Sequence, residues 1–224
     1  MTGSREQGLS IYRLRWIGYG LLAFAIIDVL LLLYPPQITN AVWQLQTMGQ
    51  IVERLPVPLM GLALVFFGDS YDRDRLEDNL VKLLSWVSLL LAVVFLVMVP
   101  LGVVNTLRIN TQNNEQITAQ AESRLQELKQ VEEQVSAGTT ADLKNMAEEL
   151  NRMGLAVDVN KPQELKNEIL SRIGIAREQV PKEAEATRKG QRLVLLKNSA
   201  KWNLGALISS VLFFYIWKGT DWAR

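Results

Sequence analysis

The stretch that most limits what this chain can become is Leu80–Val104, LVKLLSWVSLLLAVVFLVMVPLGVV, in which Lys82 is the sole charge. As a helix rising about 1.5 Å per residue, it is longer than the ~30 Å hydrocarbon core of a bilayer. No soluble domain of ordinary size needs so long an apolar run, and in lipid a lone segment satisfies its backbone only as a helix. A membrane-spanning helix is therefore expected here. After Val104 the chain turns polar, yet it stays helix-friendly for almost a hundred residues.

A second apolar run, Trp16–Tyr34, carries one charge, Asp28, and follows Arg5, Arg13 and Arg15. It is long for a signal-peptide core and ends in Tyr34-Pro35-Pro36 rather than in small residues, so it reads as a retained first span with a cytoplasmic N-terminus. In residues 38–54, Val42, Leu45 and Val52, with Leu55 just beyond and Trp43, Met48 and Ile51 near the same stripe, mark an amphipathic helix. Such a helix lies at the membrane surface or packs over the bundle. Pro56 and Pro58 then set the angle at which the chain enters residues 55–68. That apolar run is about 21 Å as helix, short for a crossing unless the bilayer thins or the segment re-enters. Its strong apolarity and charged flanks favour a span. Asp69, Asp72 and Asp74 are spaced like calcium ligands but lack the glycine and terminal glutamate of an EF-hand, so a solvated turn is expected.

Trp202–Trp217 is the last apolar stretch, introduced by Arg188, Lys189, Arg192, Lys197 and Lys201 and closed by Lys218. Trp202, Tyr215 and Trp217 suit the interfacial aromatic belt. Gly205 with Ser209, and Ala206 with Ser210, are small-xxx-small pairs that permit close helix packing or oligomerisation. Counting Lys and Arg near the membrane gives eight against six whether residues 55–68 span or re-enter, so the positive-inside rule does not choose between them.

Between Thr106 and Lys201 there is no Phe, Trp or Tyr. Aromatic side chains supply much of a globular core, so a catalytic domain is not expected there. Helical stripes are: Ile117, Ala121, Leu125, Leu128, Val131 and Val135; then Leu143, Met146, Leu150 and Met153; then Leu165, Ile169, Ile173, Ala176 and Val180. Gly138-Thr139-Thr140 separates the first two and offers a threonine cap. The expected fold is an all-α integral membrane protein, with about four transmembrane helices and an extramembrane helical, coiled-coil-like crown between the third and fourth. The divisions fall at 1–105, 106–201 and 202–224. Leu125, Leu128 and Val135 are the crown's candidate oligomerisation contacts.

The chain has no cysteine and no histidine. Disulfides, thiolate nucleophiles, Cys or His metal sites and His acid–base catalysis are therefore excluded. No Gly-rich phosphate loop or nucleophile–base pair is present, and no catalytic residue, cofactor or metal is expected. A neutral crown without aromatics gives no footing for nucleic acid. Asp28 is the one ionisable residue well inside a span. No other span offers a central Lys, Arg or Glu to pair with it, so the expectation is a neutral acid or a hydrogen bond to Ser85, Ser88 or Asn203; ion or proton handling is the functional alternative. Lys197 and Lys201 are expected on anionic headgroups, with the basic residues further out pairing with Glu115, Glu122, Glu127, Glu132 or Glu133.

Trp43–Asp69, WQLQTMGQIVERLPVPLMGLALVFFGD, resembles the HpsJ-like membrane proteins of cyanobacteria, which are associated with hormogonium polysaccharide biosynthesis. So do Leu83–Thr106 and the ending NLGALISSVLFFYIWKGTDWAR. The resemblance implies a multi-pass protein of the cell inner membrane or thylakoid membrane, tied to polysaccharide export or gliding, and carries over no catalytic residue. The resulting expectation is a non-enzymatic scaffold that self-associates or joins a membrane complex. A transport component using Asp28 and an accessory subunit of a photosynthetic membrane are the alternatives.

Overall fold

The computed structural model describes residues 2–68, 73–139, 142, 145 and 162–224. Asp69 and Asp72 lie outside the described residues, as do Leu143, Met146, Leu150 and Met153 of the second stripe. The described residues form five helices and no strand. These are α1 (Thr2–Leu33), α2 (Ala41–Arg54), α3 (Pro56–Phe66), α4 (Arg75–Ala137) and α5 (Pro162–Gly219), followed by a short 3-10 turn at Asp221–Ala223. The chain divides into two compact units, one of Met1–Ile109 with Val194–Arg224, the other of Asn110–Leu193.

In the first unit the apolar segments are wet by little of their own protein. Ser10–Leu33 is long and apolar enough to cross a membrane, with only 6% of its most apolar window buried, and α4 qualifies with 22% buried. Trp16, Phe24, Ile27 and Leu31 of α1 and Trp86, Leu90, Val93 and Val97 of α4 are exposed. So much contiguous apolar surface is stable against lipid and not against water. Together α2 and α3 are long and apolar enough to cross but are bent by 43°, the form of a broken span or a re-entrant loop. The bend sits at Leu55 because Pro56 and Pro58 remove two helix donors and Pro56 clashes with the preceding turn. Trp202–Trp217, the end of α5, does not reach that hydropathy: Asn203, Ser209, Ser210 and Lys218 dilute it.

Asn40 caps α2, its side-chain oxygen accepting from the Val42 and Trp43 amides at 3.0 and 3.3 Å. Of the two placements expected for this helix, the structure shows the one over the bundle. Leu45 packs with Ile109, Leu195 and Trp202, and Met48 and Leu55 join Leu62, Ala92, Phe95, Ala206 and Phe213 in the main core. The Phe95 and Phe213 rings stack with centroids 5.6 Å apart. Val42, at one end of the expected stripe, is exposed.

Two glycines set how closely these helices approach. At Gly18 of α1 an added Cβ would lie 2.8 Å from the Gly61 carbonyl oxygen of α3. At Gly49 of α2 it would lie 2.2 Å from the Trp202 ring. Gly49→Ala must therefore displace the indole. We expect it to cost about 1–3 kcal/mol, read as a lower melting temperature in mild detergent, whereas Gly190→Ala, in open space, is neutral or slightly stabilising.

In the second unit residues 110–137 of α4 and 162–193 of α5 lie antiparallel. Ile117, Val135, Ile173 and Val180 are buried in the unit. Arg124 pairs with Glu183 at 3.7 Å and Arg177 with Glu132 at 3.1 Å across the seam. Beyond α4, Thr139 and Asp142 bond to each other, while the helix a threonine was expected to cap lies outside the described residues. The Thr139 hydroxyl and amide both donate to the Asp142 carboxylate, at 2.6 and 2.9 Å, and the Asp142 amide returns a bond to the hydroxyl. The Thr139 hydroxyl first, and its amide second, hold Asp142 below the usual carboxylate range.

Candidate functional site

Asp28 is paired, and its partner comes from an unexpected place. Arg54, the last residue of α2, reaches it at 3.4 Å, with both side chains about half exposed. The partner does not come from inside another span, because the charge sits at the proline bend, which turns the end of α2 onto α1. The hydroxyls and amide expected to serve Asp28 are engaged elsewhere. Ser85 lies 2.7 Å from the Thr220 hydroxyl, Ser88 donates to the Leu84 carbonyl, and Asn203 donates to the Ser199 carbonyl.

The neighbouring Glu53 turns the other way. It accepts from Lys201 Nζ at 2.6 Å and Trp202 Nε1 at 3.0 Å on α5. Glu53 and Arg54 thus tie one end of α2 to two different helices. Lys201, expected on lipid headgroups, has this carboxylate as its partner; Lys197 is exposed. Such exposed pairs contribute little energy each, so their value lies in orientation.

A seam of small polar groups joins α4 and α5. Ser210 donates to the Ala92 carbonyl at 2.7 Å, the Thr106 and Ser199 hydroxyls are 2.6 Å apart, and Asn105 donates to Gln44 of α2 at 2.8 Å. Ser209 returns its proton to the Gly205 carbonyl of its own helix. Ala206 is fully buried, Ser209 and Ser210 nearly so, and Val52 of α2 rests on Gly205. The structure therefore places the small-xxx-small face against α2 and α4 of the same chain.

A cluster that the sequence did not reveal closes the other end of the α2–α3 pair. Gly68, with φ of 72°, turns the chain after α3. Arg15 of α1 donates to the Phe67 and Gly68 carbonyls and lies 3.7 Å from Glu77. Arg73 donates to the Val65 carbonyl and lies 4.0 Å from the same carboxylate. Both arginine side chains are 3% exposed. The two guanidiniums satisfy carbonyls at the negative end of α3, a favourable place for cations. Burial, and then repulsion from Arg15, lower the pKa of Arg73. In the sequence Arg15 and Arg73 read only as charged flanks. Arg15 precedes one apolar run and Arg73 follows another, so no spacing in the sequence joins them.

In the second unit Val135 is 1% exposed, while Leu125 and Leu128 are half-buried. Among the described residues there, Val131, Ile175 and Leu193 are large apolar side chains left exposed, at 41%, 55% and 55%. Among the described residues no group of three or more His, Cys, Asp or Glu could hold a metal.

No curated protein and no solved structure matches this chain. The family model described as HpsJ-like protein matches residues 9–221, nearly the whole length. The glycine-spaced, proline-bent helices tied by Arg15, Arg54 and Lys201 are thus the architecture of a chain that belongs to the HpsJ-like family.

Proposed function

We propose that this protein is a non-enzymatic membrane scaffold that self-associates or recruits a partner through its second unit, in the service of polysaccharide export or gliding. In this reading α1, the α2–α3 pair, α4 and the end of α5 make four crossings. Leu204, Ile208, Val211 and Tyr215 of α5 are exposed in the way a lipid-facing helix requires. The observation that carries the proposal is the pattern in Asn110–Leu193: Val135, Ile173 and Val180 are buried within the unit, while Val131 and Ile175 remain exposed. A charge at Val135 would disrupt the unit itself. A charge at Val131 or Ile175 tests association alone. The double variant Val131→Glu, Ile175→Glu should keep the melting temperature within about 2 °C, since surface changes stay near ±0.5 kcal/mol. Its particle mass in mild detergent should fall to that of one chain. A monomeric wild type with no co-purifying partner would overturn the proposal.

The ion pair at Asp28 supports a structural role over the transport alternative. Asp28→Asn should then leave cellular function intact and lower stability by about 1 kcal/mol or less, the usual size for an exposed pair. Complementation that fails with assembly intact would move the reading to transport.

A further inference from the structure

We infer that the second unit carries an oxyanion site, for a phosphate-type group, in the cleft formed by Arg188, Lys189 and Arg192 of α5 facing Asn114 and Thr118 of α4. The inference is independent of the self-association proposed above.

Two arginines pair with carboxylates across the seam between these helices, and Arg188 does not. Arg124 meets Glu183 and Arg177 meets Glu132, each guanidinium opposite a carboxylate of the facing helix. Among the described residues Arg188 meets none. It donates across the seam from an Nη to the neutral Thr118 hydroxyl at 2.6 Å. That hydroxyl already donates its proton to the Asn114 carbonyl. Arg188 Nε is buried and has no hydrogen-bond partner. A buried donor left unmade is costly, and a charged one more so.

The space beside it is a cleft of about 400 Å³ lined by Asn114, Thr118, Glu185, Arg188, Lys189 and Arg192. The lining holds three cations against one carboxylate. That carboxylate, Glu185, is taken by Lys189 at 2.7 Å, which also keeps it below the usual carboxylate range. Arg188 and Arg192, one helical turn apart, are left facing the opening. An oxyanion there would meet the guanidiniums of Arg188 and Arg192, with the Asn114 amide within the same lining. Guanidiniums suit this ligand because their planar donors match phosphate geometry and stay charged at any working pH. The neutral residues opposite make the cleft receptive where carboxylates elsewhere along the seam would occupy it.

A phosphate group could come from a soluble anion or from a lipid headgroup, and the test separates them. The full-length protein is placed in nanodiscs of neutral phosphatidylcholine, and its melting temperature is followed as pyrophosphate is added. The wild type should show a saturable rise. Arg188→Gln with Arg192→Gln should weaken the midpoint at least about tenfold, the scale of one lost charged hydrogen bond, while Lys182→Gln leaves it unchanged. Thr118→Glu separates loss of the site from loss of folding. It supplies the missing carboxylate from within, so it should raise the ligand-free melting temperature and abolish the response. If phosphatidylglycerol in the nanodisc suppresses the pyrophosphate response of the wild type, the site takes a lipid phosphate. If the response survives, it takes a soluble one. No saturable response with either, or an equal response in the Arg188 and Arg192 variant, overturns the site.

Discussion

Gly18→Leu is expected to lower the stability of the membrane unit by about 3 kcal/mol or more, at the upper end of what overpacking costs. Two opposing effects decide the sign. Leucine is the better helix former by about 0.8 kcal/mol, which favours the variant. Against that, the new Cβ would meet the Gly61 carbonyl oxygen at 2.8 Å, Val65 Cγ2 at 2.9 Å and Leu64 Cβ at 3.0 Å. The first of these is backbone, which cannot rotate aside as a flexible side chain would. The helices must therefore separate along their whole contact, and dispersion between well-packed surfaces falls steeply with a gap of even half an ångström or so. Gly20→Leu is the control, because nothing lies within 4 Å of a Cβ there and the residue is exposed. Thermal unfolding in mild detergent by circular dichroism reads both. If Gly18→Leu melts with the wild type, α1 and α3 do not cross at these two glycines.

Arg15→Met should cost about 3 kcal/mol, and Arg73→Met distinctly less, although the two side chains are equally buried. Arg15 serves the Phe67 and Gly68 carbonyls and approaches Glu77 at 3.7 Å, so its removal leaves those two carbonyls without their charged donor. Breaking a buried ion pair from one side costs about 3–5 kcal/mol, here reduced because Arg73 still faces the carboxylate. Arg73 starts from a weaker position. Two of its three guanidinium nitrogens, Nε and Nη1, are buried without a hydrogen-bond partner, and burial and Arg15 both disfavour its charge. Part of what Arg73→Met loses is offset by relief of that penalty. The pair of melts decides the matter. Equal losses in the two variants would mean that both arginines act simply as counter-charges to Glu77.

What could be read from the residues divides along physical lines. Long apolar runs announce themselves locally, so the helices through Trp16–Leu33 and Leu80–Val104 were legible, as was the stripe that buries Leu45 and Met48. Each follows from spacing within one segment. The glycine crossings were not legible, because a glycine in an apolar helix says nothing about which helix it will meet: Gly18 finds Gly61, and Gly49 finds Trp202. The partner of Asp28 was missed for a related reason. No other span carries a central counter-charge in its sequence, whereas Arg54 is delivered by the turn at Pro56. Arg15 and Glu77, 62 positions apart, read separately as a flank and a turn; only the fold makes them one buried group.

The position of α2 also dictates an order of events in time. Its contacts with Lys201 and Trp202 lie 148 and 149 positions further along the chain. At the usual pace of synthesis, about 5–20 residues per second, roughly ten seconds or more separate the making of Glu53 from the making of its partners. Until then Glu53 has no counter-ion from α5, and the face of α2 at Gly49 lacks the Trp202 ring it closes on. The seating of α2 is therefore completed only after α1, α3 and α4 have been made.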